Sequence, residues 1–256
     1  MRFMQNRMSR LLFLFILSCL SGSAMAQDSL RVLFVGNSYT YFWNLPQTVS
    51  TMAENRGVTI VARKSTAGGS TWKQHWKGEK ELKSRKIIAQ GNWDVVVLQN
   101  HSMSTINNPG DFADYGEKFI DLVRESGAIP ILYMTWAREF NPLMQKAISE
   151  GYKTLGKEHQ VYVAPVGEVW AKARTLRPDI RLFDPDSSHP STIGTYLTAC
   201  VFFTVLTGEK SNGLPERIST IDKNGEELFY SMMSKEDATF MQELTDSFEL
   251  ERYNAK

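Results

Sequence analysis

Residues 30–40 read LRVLFVGNSYT, an apolar run of strand-forming side chains that ends at Gly36 and is followed closely by Ser38. A short and nearly continuous apolar run predicts a strand that is buried on both faces. Similar runs follow at residues 58–62, 94–98, 129–134 and 161–163. Five such runs predict a central sheet whose strands lie parallel to one another.

Longer amphipathic or apolar stretches separate and follow these runs. They predict helices at residues 46–55, 72–90, 111–126, 142–158, 192–206 and 234–253. Buried strands that alternate with helices are typical of the α/β class, in which helices cover both faces of a parallel sheet. No internal repeat or Pro/Gly-rich linker divides the sequence. We therefore expect residues 27–256 to form one domain, a three-layer α/β/α sandwich around a mainly parallel five-stranded sheet.

Residues 1–26 have the features of a cleaved signal peptide. Three arginines precede an apolar run at residues 11–20, and residues 24–26 read AMA, a small-x-small cleavage pattern. The apolar run has about ten residues, which is too short for a helix that spans a bilayer. We expect export to the periplasm or the cell exterior, and no membrane span in the mature chain. Anchoring as a lipoprotein through Cys19 is a weaker alternative, because residues 16–19 match a lipoprotein box poorly.

The charge and cysteine content of the expected mature chain argue against a nucleic-acid partner and against an internal disulfide. Removal of three arginines leaves 26 basic against 28 acidic residues, a formal charge of −2. That balance lacks the basic excess that tracks phosphates, so no nucleic-acid partner is expected. Cys200 is the one cysteine left, and a single cysteine cannot form an internal disulfide. We expect it to be a buried thiol in the apolar run around it.

Polar residues follow the first strand at the point where an active site of this class forms. Active sites in open α/β sheets lie outside the carboxyl ends of the strands, and Ser38 follows the first strand directly. Ser38 is a candidate nucleophile, although a serine here can also be a helix N-cap. The sequence around Ser38 contains neither a phosphate-binding glycine motif nor the G-x-S-x-G elbow.

A late segment supplies the partners that a nucleophilic serine needs. Asp186 precedes His189 by three residues, so one turn of chain can bring the carboxylate to the imidazole Nδ1. That bond would leave Nε2 free to take a proton from a serine. A surface turn is the alternative interpretation. No second histidine or cysteine lies at metal-ligand spacing, so a metal site is not expected. Chemistry by Ser, His and Asp requires no organic cofactor either, and we expect none.

Two further segments contain candidate oxyanion donors. Gly68 and Gly69 follow the second strand, and a glycine allows a backbone N–H group to approach a ligand closely. Gln99 and Asn100 follow the third strand, where a side-chain amide can donate to a developing oxyanion. Each segment taken alone is also typical of an ordinary turn.

The order of these four elements resembles the SGNH (GDSL-like) hydrolase superfamily. Its members have a nucleophilic Ser, an oxyanion Gly, an oxyanion Asn and a late Asp-x-x-His, in that order. The resemblance covers residues 30–206 and implies a flavodoxin-like fold with Ser38, Asp186 and His189 as the catalytic residues. Two departures are Asn37, where the family has Asp, and the third block, which reads LQNHS instead of containing Gly-x-Asn-Asp.

The second and third blocks are similar to those of sialate O-acetylesterase-like carbohydrate acetylesterases. This resemblance implies Gly69 as the backbone donor, with Gly68 as the alternative, and slightly favours Gln99 over Asn100 as the amide donor. It also implies a secreted esterase that removes O-acetyl groups from a small-molecule or glycan ester through an acyl-enzyme. The residues that we expect to bind substrate are Trp72, His101 and Trp136.

Two other functions fit the same blocks. A lipase, lysophospholipase or thioesterase would use the same catalytic residues but would need a long apolar cleft. A non-catalytic glycan-binding protein of the same fold would not need both Ser38 and His189. The oligomeric state does not follow from the sequence.

Overall fold

A five-stranded sheet forms the centre of the molecule in the computed structural model, which describes residues 29–250. All neighbouring strands run parallel in the order β2-β1-β3-β4-β5. The predicted parallel sheet is confirmed. The strands are β1 (Leu30–Gly36), β2 (Ile60–Thr66), β3 (Val95–Leu98), β4 (Ile129–Tyr133) and β5 (Tyr162–Ala164).

Strand β2 differs most from its predicted position. It begins two residues later than expected and continues to Thr66, which pairs with Gly36. Because β2 is an edge strand, its last residues include the exposed Arg63 and Lys64, and no apolar run marks them. The other four strands lie within one residue of their predicted bounds.

Helices cover both faces of the sheet. The helices are α1 (Ser38–Tyr41), α2 (Leu45–Glu54), α3 (Trp72–Lys77), α4 (Ser84–Gln90), α5 (Ser104–Asn107), α6 (Pro109–Glu125), α7 (Met144–His159), α8 (Val166–Leu176), α9 (Thr192–Thr207) and α10 (Lys235–Asp246). Short 3₁₀ turns lie at Phe42–Asn44 and Glu79–Glu81.

Alternate residues of β1 divide the core into two halves, which shows the three layers directly. Val32 and Phe34 pack on one face with buried residues of α2, α8 and α9. Leu33 and Val35 pack on the other face with buried residues of α3, α6 and α7. This arrangement is the predicted α/β/α sandwich.

One predicted helix, residues 72–90, is wrong because it is two helices. Gly78 ends α3 in the left-handed region, with φ of 73°, and its N–H group caps the carbonyls of Gln74 and His75. That geometry is a common helix terminus for glycine, and it separates α3 from α4.

Three other elements complete the described chain. Helix α8 and an antiparallel hairpin of β6 (Arg217–Ile221) and β7 (Glu227–Met232) were not predicted. Cys200 is buried in α9, as expected. Helix α10 is shorter than predicted, and the end of the predicted helix lies beyond the described residues. The expected signal peptide and Cys19 also lie outside them. Within residues 29–250 no helix combines the length and apolarity that a bilayer crossing needs.

The strand order places a crevice at the carboxyl ends of β1 and β3. These two strands are neighbours, and the chain leaves them in opposite lateral directions along the sheet. Such a switch point is where open α/β sheets bind ligands. Ser38 follows β1 there, and Gln99 follows β3.

Candidate active site

A tight turn after β1 presents Ser38 as the first residue of α1. The Asn37 side chain caps this short helix, because its Oδ1 accepts from the Tyr39 N–H group at 3.0 Å. Its Nδ2 donates to the Ser70 carbonyl at 3.0 Å, a bond that an aspartate in this position could not make. Gly36 permits the turn, since a Cβ there would collide with side-chain oxygens of Gln99 and Thr40.

The structure brings Ser38, His189 and Asp186 into one hydrogen-bonded series. His189 Nε2 lies 2.8 Å from Ser38 Oγ, although the two residues are 151 positions apart. His189 Nδ1 is hydrogen-bonded to Asp186 Oδ2. A carboxylate oxygen can only accept, so the network places the imidazole proton on Nδ1 and a lone pair on Nε2. That lone pair faces the serine hydroxyl.

The Asp186–His189 turn is held by its own backbone. Asp186 Oδ1 accepts from the N–H groups of Ser188 and His189 at 3.0 and 2.9 Å. Burial opposes ionisation of Asp186, but these bonds and the bond from the His189 side chain outweigh it and lower the pKa of the carboxyl group. Asp186 therefore stays negatively charged opposite the imidazole.

Aromatic residues hold this turn against Ser38. Trp136, which we expected to bind substrate, is 1% exposed and stacks between Tyr39 and Trp170, so that prediction is wrong. Its indole N–H donates to the Ser188 carbonyl at 3.0 Å and supports the turn from behind. Phe42 stacks on the His189 ring, with the two ring centres 4.2 Å apart.

Trp72 was also expected to bind substrate, and the structure contradicts this. Its side chain is fully buried and stacks on Phe112, with Tyr152 at its edge. The ring belongs to the core because α3 turns this first residue toward the sheet, away from the cleft. The backbone N–H group of Trp72 donates to Asn100 Oδ1 at 2.9 Å. This bond ties residues 67–71, the glycine loop, to the end of β3.

Gly69 lies in the loop before α3 with a left-handed backbone, at φ of 60°. It makes no hydrogen bond to any residue of the range 29–250. A Cβ at Gly69 would meet no atom within 4 Å, because the residue borders the cleft that contains Ser38. Its N–H group is therefore unused by the fold. The neighbouring Gly68 also lines the cleft, and its carbonyl accepts from Lys80 Nζ at 2.7 Å.

The two candidate amides have different surroundings. Gln99 Oε1 accepts from the Asn37 N–H group at 2.8 Å and from the Thr40 hydroxyl at 2.9 Å, while Nε2 donates to the Asn100 carbonyl. This amide holds the turn that contains Ser38 on β3, so the slight preference for Gln99 as oxyanion donor is not supported.

Asn100 keeps its donor group unused. Its Oδ1 accepts from the N–H groups of Trp72 and His101, at 2.9 and 2.8 Å. Its Nδ2 has no hydrogen-bond partner among residues 29–250. This nitrogen is not completely buried, so solvent can reach it. Asn100 directly precedes the cleft-lining His101 but does not line the cleft itself.

The cleft around Ser38 has a volume of about 390 Å³. His101, which we expected to bind substrate, is among its lining residues, and burial together with the positive charges of Arg138 and Lys80 lowers the pKa of this histidine. Within the described range, no three or more His, Cys, Asp and Glu side chains form a group that could hold a metal ion. The lining residues are Asn37, Ser38, Tyr39, Tyr41, Phe42, Gly68, Gly69, His101, Ser102, Arg138, Ser188 and His189.

Arg138 is a cleft residue that the sequence analysis missed. Its guanidinium donates from Nη1 to Ser188 Oγ, and from Nη2 to Ser102 Oγ at 3.3 Å. The segment after β4 also ends at the carboxyl edge of the sheet, so the position of Arg138 just beyond that strand was a usable signal. The sequence analysis had chosen Trp136, which lies closer to the apolar run of β4.

A second histidine–serine cluster lies behind the glycine loop. His75 is buried, and its Nδ1 lies 2.6 Å from Ser84 Oγ. Its Nε2 lies 2.9 Å from both the Gly36 carbonyl and Ser70 Oγ. Burial, the largest cause, lowers the pKa of His75 to about 4.

No family model and no curated protein sequence matches this chain. Solved structures do. A candidate SGNH hydrolase from Slackia heliotrinireducens is 24% identical, with a TM-score of 0.58 over 69% of this chain and 98% of that chain. A DUF4886 family protein from Bacteroides uniformis is 20% identical, with a TM-score of 0.66 over 85% of this chain and 93% of the other.

A member of the lipolytic G-D-S-L family from Veillonella parvula is 13% identical, with a TM-score of 0.54 over 69% of this chain and 97% of that one. At these identities the likeness concerns the fold. The five-stranded parallel sheet, its helical layers and these neighbours agree with the resemblance found in the sequence. The chain has the fold of the SGNH hydrolases.

Proposed function

We propose that this chain is an exported serine esterase that removes O-acetyl groups from carbohydrate. Ser38 is the nucleophile, His189 the general base and Asp186 the group that orients and charge-balances the imidazole. The observation that carries the proposal is the hydrogen-bonded series Ser38–His189–Asp186 at an open cleft. Export rests on the features of residues 1–26.

In the first half of the reaction, Ser38 Oγ attacks the ester carbonyl carbon while its proton moves to His189 Nε2. Asp186 stabilises the imidazolium that forms, because its carboxylate remains on Nδ1. The tetrahedral intermediate then collapses, and His189 returns the proton to the leaving alcohol. The acetyl group remains on Ser38.

In the second half, water attacks the acetyl–enzyme with His189 again taking the proton. Acetate leaves, and Ser38 recovers its hydrogen. The unused N–H group of Gly69 and the N–H group of Ser38 are suited to bind the oxyanion in both halves. Asn100 Nδ2 is the third proposed donor, in place of Gln99.

The lining of the cleft favours a short acyl group and a polar alcohol over a long hydrocarbon chain. Asn37, Ser102, Arg138 and Ser188 give the cleft a polar wall. Tyr41 and Phe42 offer aromatic surfaces against which a sugar ring can pack. Ester hydrolysis also agrees with the descriptions of the fold neighbours as a candidate SGNH hydrolase and a lipolytic G-D-S-L protein.

A series of 4-nitrophenyl esters from acetate to octanoate tests the proposed acyl preference. We expect the highest kcat/KM for acetate and a decline of about tenfold or more by octanoate, because the polar wall of the cleft leaves added methylenes less apolar surface against which to pack. A rate that rises with chain length would support the lipase or thioesterase alternative. Absence of turnover on every ester and on acetylated sugars would contradict an esterase and support a non-catalytic protein.

A further inference from the structure

Arg138 places a positive charge inside the cleft without an acidic partner. Among residues 29–250, its guanidinium donates hydrogen bonds only to two neutral hydroxyls, those of Ser188 and Ser102. No carboxylate of residues 29–250 lies within ion-pair distance of it. Arg177 provides the contrast within the same chain, since it pairs with both Asp179 and Asp237.

The position of Arg138 makes this unpaired charge informative. The side chain is half-buried, and partial burial weakens hydration of a cation without supplying a counter-charge. A guanidinium has five N–H donors in a planar fork, and the two serines use only some of them. The remaining donors are available to a group that enters the cleft.

The other charged side chains near the cleft do not line it. Lys80 donates to the carbonyl of the cleft-lining Gly68 at 2.7 Å. Two carboxylates lie on the other side of His189: Asp186 accepts from His189 and two backbone N–H groups, and Asp184 interacts electrostatically with Asp186. Of the Arg, Lys, Asp and Glu side chains of residues 29–250, Arg138 alone lines the cleft, so it is the charge that an entering substrate meets directly.

We propose that Arg138 selects esters whose alcohol portion carries an anionic group, such as a carboxylate or a sulfate. The guanidinium binds this anion while the acetyl carbonyl lies at Ser38. Because an acetyl group carries no charge, the anion belongs to the alcohol. This inference rests on the proposed function and names the class of substrate for the same cleft.

Two matched acetyl esters test the role of Arg138. 4-Acetoxybenzoate carries a negative charge, and 4-acetoxybenzamide has the same shape without it. In Arg138→Gln we expect kcat/KM to fall about 10- to 100-fold on the benzoate, the range of a charge-assisted hydrogen bond, and less than about threefold on the benzamide. Most of the loss should appear in KM.

Arg138→Lys should restore part of the activity on the benzoate, because it restores the positive charge. A third ester, 4-acetoxybenzenesulfonate, shows whether a sulfate-like anion is bound as well as a carboxylate.

Arg85→Gln is the matched control. Arg85 is exposed on α4, where it lies over the Trp76 ring, so this change removes one positive charge away from the cleft. It should alter neither ester. Equal losses on both esters in Arg138→Gln would overturn the inference, because they would show that the arginine only ties two loops together. Unchanged kinetics on both esters would overturn the inference too, because the anion would then not need the arginine. Either result would leave the esterase proposal intact. Failure of the wild-type protein to cleave either ester or 4-nitrophenyl acetate would instead contradict the proposed function itself.

Discussion

Two histidine–serine pairs contact the turn at residues 36–38, and only one of the two has the carboxylate partner that a general base needs. His189 Nε2 lies 2.8 Å from Ser38 Oγ, and His75 Nδ1 lies 2.6 Å from Ser84 Oγ. The second nitrogen of His189 meets the Asp186 carboxylate, whereas the second nitrogen of His75 meets the Gly36 carbonyl. Both acceptors fix a tautomer, so both imidazoles present a lone pair to a serine.

The difference lies in what happens when the imidazole gains a proton. Asp186 stays ionised beside His189 and offsets the charge of the imidazolium. His75 has no carboxylate partner in the described part of the chain, and its burial lowers its pKa to about 4, so a proton there is strongly disfavoured. A general base must hold a proton in the transition state, and a lone pair aimed at a hydroxyl is therefore not sufficient.

Replacement of each serine gives the largest contrast. Ser38→Ala should lower kcat on 4-nitrophenyl acetate by about 10⁵-fold or more, because the nucleophile is lost. Ser84→Ala should retain activity within about tenfold and lower the free energy of unfolding by about 1–3 kcal/mol, since His75 loses a buried hydrogen-bond partner. Comparable kinetic losses in the two variants would break the distinction.

Removal of the counter-charge should have the next largest effect. In Asp186→Asn the amide can donate to Nδ1, which moves the imidazole proton to Nε2 and removes the lone pair that faces Ser38. We expect kcat to fall about 10³- to 10⁴-fold. Asp184→Asn in the same turn is the control, with a change below about tenfold. Steady-state rates with matched circular dichroism spectra would check both.

Isosteric changes at the two amides sharpen the account of the oxyanion site. Asn100→Asp keeps the acceptor for Trp72 and His101 but removes the Nδ2 donor, and it should lower kcat about 10²- to 10³-fold. Gln99→Glu keeps the acceptor for Asn37 and Thr40 and should cost less than about tenfold. The reverse order would assign the amide donor to Gln99.

The smallest expected effect concerns stability against acid. The folded-state pKa of His75, about 4, lies below the usual value of about 6.5. Between these two pH values His75 binds more protons in the unfolded chain than in the folded one. Its contribution to the free energy of unfolding is therefore fully present above about pH 6.5 and is lost as the pH falls toward 4. The loss amounts to about 3 kcal/mol.

Urea unfolding of wild type and His75→Gln from pH 7 to pH 4 measures this contribution. The difference between the two proteins should shrink as the pH falls, because the variant has no imidazole to protonate. A constant difference across that range would show that His75 is protonated equally in the folded and unfolded chains.

Much of the fold could be predicted because local pattern decides it. Continuous apolar runs marked four strands to within a residue, and the spacing of Asp186 and His189 identified their hydrogen bond. The end of β2 was not predicted because its last residues are polar and lie at the edge of the sheet. One long helix was predicted at residues 72–90 because the left-handed turn at Gly78 interrupts a stretch that has helical periodicity.

The direction of a side chain was harder to predict than its place along the chain. Trp72 and Trp136 lie beside the site in sequence, yet both rings pack into the core, while Arg138 reaches the cleft. The choice between Gln99 and Asn100 depended on which amide forms hydrogen bonds to the turn that contains Ser38. That in turn depends on contacts between residues after β1 and residues after β3. Such contacts leave no local pattern in the sequence.

The most direct test of the account is the site of reaction with a fluorophosphonate probe, mapped by mass spectrometry of the intact protein and its peptides. We expect one adduct, on Ser38, with labelling lost in Ser38→Ala, slowed in Asp186→Asn and unchanged in Ser84→Ala. An unlabelled Ser38, or an adduct that persists elsewhere in Ser38→Ala, would contradict the assignment of His189 and Ser38 as the reactive pair.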